Sequence, residues 1–219
     1  MRAFIAVDLP EAIKTAISDQ QHALRRTLST LQERNDDIKW TRPEGVHATL
    51  KFLGEISERQ VTQVSDALAG LEDFEPFALQ VKGFGFFPDA RRPRVLWVGV
   101  EAPQPGGVAP VGTGHGQELV LTPQPPESNG NAAAALAQLA GRVERACESL
   151  GFALEGRAFS PHLTLARFKV PKPQPELVTL LEAKRELTLG QFEVSEFFLF
   201  ESRLSPHGAQ YRKVARFPR

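Results

Sequence analysis

Two four-residue runs, His47-Ala48-Thr49-Leu50 and His162-Leu163-Thr164-Leu165, constrain this 219-residue chain more than any other feature. They occupy matching places in two halves that repeat one order of elements. Each half reads as a helix, a strand beginning with the histidine, a shorter helix, a long strand, a turn and a closing strand. The halves match weakly as sequence, but the repeated order points to two similar lobes. Helices mixed with hairpin-type connections give an expected class of α+β with mainly antiparallel sheets.

The segments behind that reading are these. Residues 2–9 read as a strand, and Pro10 opens a helix over about 11–33 with Ile13, Ile17, Leu24, Leu28 and Leu31 on one face. Residues 38–41 and 47–53 read as strands, the second stopped by Gly54. Ser57 caps a helix carrying Val61, Val64, Leu68 and Leu71. Strands are expected at 77–86 and 94–101, joined by a turn-rich stretch. In the second half, Asn131 caps a helix to about 150 that Gly151 ends. Strand-like runs follow at 152–159 and 162–170, then a helix near 176–183. Strands at 187–200 and 210–217 bracket a turn at 205–208. The whole chain, 1–219, is read as one bilobal domain with an insertion at about 102–130. That insertion holds six prolines, six glycines and no lysine or arginine, the composition of a surface loop. His115 inside it carries no functional weight, and His22 and His207 read as surface residues.

Composition narrows the function classes. Lysine plus arginine and aspartate plus glutamate both number 26, so the formal net charge is zero. Proteins that coat nucleic acid non-specifically carry a basic excess, because counterion release drives that binding. Nucleic-acid contact here is therefore expected to be small and local. Cys147 is the one cysteine, which excludes an intrachain disulfide and a cysteine-rich zinc site. No continuous apolar run approaches the roughly 18 residues of a membrane span, and the start lacks a signal-peptide core. A cytoplasmic monomer without membrane contact is the expectation.

Chemistry gathers at the two motifs. Five histidines and 11 threonines placed at random would give about 0.25 His-x-Thr triplets, so two at equivalent places are a signal. Strand side chains alternate, so His47 and Thr49 share one face, as do His162 and Thr164. If a pseudo-two-fold axis relates the lobes, one cleft holds two imidazoles and two hydroxyls. An unperturbed histidine titrates near 6.5, which suits paired acid–base work at neutral pH. Threonine hydroxyls suit non-bridging phosphoryl oxygens. Arg167 would offer a guanidinium fork to a phosphate, but strict alternation turns it to the opposite face unless the strand bends. Neither motif contains Cys, Asp or Glu, which argues against a metal site, and no Gly-x-Ser-x-Gly elbow occurs. The plain structural alternative is that both histidines satisfy core hydrogen bonds.

With these motifs the chain resembles the 2H phosphoesterases, and among them the RNA 2′,3′-cyclic phosphodiesterase, or 2′-5′ RNA ligase, family. The matching pieces are RAFIAVDLP at the start, HATLKFLGE at 47–55, RPRVLWVGV at 92–100, SPHLTLARF at 160–168 and the closing SRLSPHGAQYRKVARF. The resemblance implies two lobes of antiparallel sheet with outer helices around a central cleft. It implies metal-independent opening of an RNA 2′,3′-cyclic phosphate end to a 2′-phosphate, without cofactor, and joining of such an end to a 5′-hydroxyl. By resemblance, His47 is the proton donor to the leaving 3′-oxygen and His162 the base that activates water. Thr49, Thr164 and Arg167 bind the phosphate, Arg167 falling in the family's His-x-Thr-x-x-Arg pattern.

Single-stranded RNA recognition favours aromatic stacking. Phe52 and Tyr211 are the candidates, with core packing the alternative for each, and strict alternation again turns Phe52 away. Arg91, Arg92 and Arg94 form a basic cluster that reads as a solvated turn or an RNA-backbone contact. Two other functions fit the same motifs. One is a cyclic phosphodiesterase for a nucleotide or ADP-ribose derivative. The other is an RNA-binding module without catalysis, which the presence of both histidines and both threonines opposes.

Overall fold

The computed structural model describes residues 1–31, 37–71, 75–103, 132–205 and 208–218. Most of the expected insertion, with His115, lies outside these residues, as do Asn131 and His207.

Strand β1 (Arg2–Val7) is buried from Ala3 onward on both faces. It leads into α1 (Glu11–Leu31), whose Ile13, Ile17, Gln21, Leu24 and Leu28 are buried. A short β2 (Ile38–Trp40) and a 3-10 turn at Pro43–Gly45 precede β3 (Ala48–Glu55). Helix α2 (Glu58–Ala69) starts at a capping box, in which the Gln60 N–H donates to Ser57 Oγ and the Ser57 N–H to the Gln60 side chain. Strands β4 (Phe77–Phe87) and β5 (Val95–Glu101) form the hairpin that the sequence predicts. Then come α3 (Ala132–Glu148), β6 (His162–Phe168), α4 (Pro175–Glu182), β7 (Thr188–Val194), β8 (Phe197–Ser205) and β9 (Gly208–Phe217).

Three expectations fail. Residues 152–159 join no ladder; instead the Ala153 carbonyl and the Glu155 N–H bond side chains. The long strand expected at 187–200 is two strands, β7 and β8, parted at Ser195 and Glu196. Gly54 does not stop β3. It sits within the strand at φ +73°, where only glycine is unstrained, beside a bulge opposite Ala3 and Phe4.

The sheet order is β7-β4-β5-β6-β3-β1-β8-β9, with β2 on β6, and every pairing is antiparallel. The order is symmetric about the β6–β3 junction, which gives the two lobes. Each lobe, however, mixes both sequence halves. β5 of the first half pairs with β6 and carries β4 beside it, while β8 of the second pairs with β1 next to β3 and carries β9. The sequence repeat hides this, because element order does not say which sheet a hairpin enters. The two-residue link from β7 to β8 reaches only about 10 Å, yet these strands lie near opposite ends of the order. The sheet is therefore strongly curled.

The four described helices cover one face. α1 packs on β7 and α4, and α3 on β3, β4 and α2. Between helices and sheet lies the main core, from Ile5 and Ile17 to Leu163, Leu165 and Phe217. The other face carries a smaller cluster of Phe4, Ala6, Phe198 and Phe200, with Tyr211 against it. No described helix is long and apolar enough to cross a membrane.

Candidate active site

One rung joins the lobes: Ala48 on β3 pairs with Leu163 on β6. Extending that antiparallel register by one residue either way sets His47 across from Thr164 and Thr49 across from His162. Ala48 and Leu163 are buried, at 1% and 0% exposure, so the four motif residues flanking them point to the helix-free face. The structure thus brings both motifs together around one pseudo-two-fold axis.

Both strands then break alternation at the same place. On β3, Ile5 pairs with Lys51 and Ala6 with Thr49, leaving Leu50 as an extra residue. On β6, Leu96 pairs with Ala166 and Trp97 with Thr164, leaving Leu165 as the extra one. Each β-bulge puts two successive side chains on the core side and returns the next to the open face. Phe52 and Arg167, both exposed, are those next residues. Each is the fifth after its motif histidine. Strict alternation therefore misplaces both, and the bulge is the physical correction.

Each bulge is held from the helix side. Gln21 on α1 donates from Nε2 to the carbonyls of Thr41 (2.8 Å) and Leu165 (2.9 Å), and the Thr41 N–H donates to Leu165 as well. At the other bulge Lys51 is buried, and its Nζ donates to Glu144 Oε1 and the Ala153 carbonyl, both at 2.8 Å. Sequence reasoning missed Gln21, Lys51 and Glu144. A polar residue inside an otherwise apolar helix stripe was the available signal at Gln21.

The rings are set alike. The Ser160 carbonyl lies 2.7 Å from His162 Nδ1, and the Gly45 carbonyl bonds the ring of His47, in each case two residues earlier in the chain. A carbonyl only accepts, so His162 Nδ1 carries hydrogen and Nε2 is left for proton transfer. The walls differ. His47 stacks on Phe4 at 4.5 Å, lies 6.1 Å from Phe200 and meets the edge of Tyr211 at 5.1 Å. His162 meets Phe87 edge-on at 4.9 Å, and Phe87 packs on Trp97. Burial in its aromatic setting pulls His47 down from 6.5 to about 4. The Gly45 carbonyl and Asp8 act the other way, while Arg167 and His162 add to the lowering. Asp8 follows β1 and is held by Lys14 and Lys213 at 3.1 and 2.6 Å.

Tyr211 therefore belongs to the site as a wall of His47, half-buried. Phe4, Phe200, Phe87 and Trp97 come from remote strands and had no local signal. Phe52 lies 6.2 Å from Phe4. Arg91, Arg92 and Arg94 are exposed on the β4–β5 connection, where Asp89 Oδ1 accepts from the N–H groups of Arg91 and Arg92. His22 is exposed, as expected. Among the described residues, no cluster of three His, Cys, Asp or Glu could hold a metal ion.

The LigT like phosphoesterase model fits residues 13–97 and 127–211. The chain belongs to that family. An RNA 2′,3′-cyclic phosphodiesterase of Aeropyrum pernix is 32% identical over 87% of this chain and 92% of its own length. One of Methanothermobacter thermautotrophicus is 29% identical over 99% and 98%. Among solved structures, a Thermus thermophilus protein superposes with a TM-score of 0.70 at 26% identity, covering 99% of this chain and 97% of that one. Escherichia coli LigT complexed with 3′-AMP shares the fold, with a TM-score of 0.67 at 22% identity over 99% and 96%.

Proposed function

We propose that this phosphoesterase opens the 2′,3′-cyclic phosphate at an RNA end to a 2′-phosphate by acid–base catalysis between His47 and His162. The observation that carries the reading is the Ala48–Leu163 rung, which sets each motif histidine across from the other motif's threonine. The activity named for the relatives supports the choice of substrate.

The reaction balances on these groups. Water attacks phosphorus and gives a proton to His162 Nε2, while the phosphorus–O3′ bond breaks and O3′ takes a proton from His47. Thr49, Thr164 and Arg167 hold the non-bridging oxygens. The low basicity of His47 makes its protonated ring a ready donor. The ring takes up that proton when the anionic phosphate arrives beside it, since an adjacent negative charge favours imidazolium. No step needs a metal or cofactor. A 5′-hydroxyl in place of water would leave a 2′-5′ linkage.

The test is an assay with EDTA on a short RNA ending in a 2′,3′-cyclic phosphate, with the product assigned by phosphorus NMR. The expected product is the 2′-phosphate, and His47→Ala or His162→Ala should each lose at least about 100-fold in turnover. A 3′-phosphate would reverse the leaving oxygen. Near-wild-type turnover in His162→Ala would sink the two-histidine mechanism.

A further inference from the structure

Lys39 stands directly across from Arg167 in the β2–β6 ladder. Both are exposed, while Ile38 beside Lys39, and Ala166 and Phe168 beside Arg167, are buried in the core. Lys39 therefore points to the same helix-free face as Arg167, His162 and Thr164. Directly opposed like charges repel across a ladder. Among the described residues neither has an ion-pair partner, and Asp37 near Lys39 is held by Lys172. Two cations without an ion-pair partner among the described residues, next to a phosphate-chemistry site, offer binding for more negative charge than the one carried by a cyclic phosphate.

We infer that Lys39 forms a second phosphate subsite, taking the phosphodiester one nucleotide upstream of the cyclic end. Arg167 lies on the strand of His162, and its planar fork suits the reacting phosphate. Lys39 lies on the adjacent β2, which takes the same edge of β6 as β3, and its compact ammonium on a flexible stem suits a neighbouring phosphate of variable pose. The subsite makes the enzyme selective for RNA ends over mononucleotides, and this rests on the phosphodiesterase reading above. It also fits a net charge of zero, since one local lysine does the work that a broad basic surface does elsewhere.

The experiment compares kcat/KM for a 2′,3′-cyclic-ended oligoribonucleotide with that for a 2′,3′-cyclic mononucleotide, in wild type, Lys39→Gln and Lys39→Arg. The oligonucleotide-to-mononucleotide ratio should fall about tenfold in Lys39→Gln, the scale of one charged hydrogen bond, and recover in Lys39→Arg. The log–log salt slope for oligonucleotide affinity should shrink by about 0.7, as expected for one phosphate contact on a single strand. Affinity is read separately, by anisotropy of a labelled oligonucleotide ending in a 2′-phosphate. An unchanged ratio and salt slope would overturn the subsite, as would equal losses on both substrates, which would put Lys39 on the reacting phosphate. If wild type turned over neither substrate, the phosphodiesterase reading would fail. The anisotropy and its salt slope would still decide the role of Lys39.

Discussion

Gln21 donates to the carbonyl of Leu165 at 2.9 Å from 144 residues earlier in the chain, and so ties α1 to the bulge that turns Arg167 toward the motif histidines. The contact is buried and lies on the core side, away from any substrate. Its effect on chemistry must pass through the strand.

Replacing Gln21 with Met should therefore destabilise the protein by about 1–3 kcal/mol, the cost of removing a buried donor from two carbonyls. It should also raise KM more than it lowers kcat if Arg167 holds the phosphate as proposed. Urea unfolding and steady-state kinetics read both effects. In an Arg167→Ala background the kinetic loss should vanish. Full additivity of the two losses would show that Gln21 does not act through Arg167.

His47 makes stability depend on pH. Its value is lowered to about 4 in the folded protein, against 6.5 for the unperturbed ring. Between those values the unfolded chain binds more protons than the native state, so stability rises with pH from about 4 to about 6.5 and this contribution is flat above. The full swing is on the order of 3 kcal/mol. Urea midpoints from pH 4 to 7 should slope upward in wild type and less steeply in His47→Gln. Parallel slopes would contradict the aromatic burial of this ring.

The motifs themselves were legible because chemistry needs particular residue types and a strand repeats every two residues. His47, Thr49, His162 and Thr164 follow from that alone. Phe52 and Arg167 were misplaced by the same rule, because a bulge is set by the partner strand and leaves no mark on its own sequence. Phe4, Phe200, Phe87 and Trp97 wall the site from other strands, and only the sheet order brings them there. The interleaving of the halves is hidden for a related reason: the hydrophobic pattern fixes which face of a strand is buried and says nothing about which neighbour it takes.

The Lys51–Glu144 pair fastens the other bulge. Lys51 has a side chain only 1% exposed, and Glu144 Oε1 also accepts from the Glu155 N–H, on the segment leading to Ser160 and His162. Lys51→Met leaves a half-buried carboxylate unpaired and should cost about 3 kcal/mol. Adding Glu144→Leu should recover most of that loss in the double variant. Chemical denaturation of the three variants checks this. Additive losses would mean that the pair is not coupled.

Gly85 lies under the Trp97 indole, which pairs across β4–β5 with it. A Cβ there would run into Cζ2, Cη2 and Cε2 of Trp97, the last at 2.7 Å. Gly85→Ala must push the indole outward, at about 1–3 kcal/mol for overpacking. The Trp97 Nε1 is buried without a hydrogen-bond partner among the described residues, so displacement gives it water. Trp97 also touches Phe87, which meets His162 edge-on. With Trp40→Phe removing the only other tryptophan, Gly85→Ala should red-shift the emission and lower turnover together. An unshifted spectrum with reduced turnover would separate His162 from this wall.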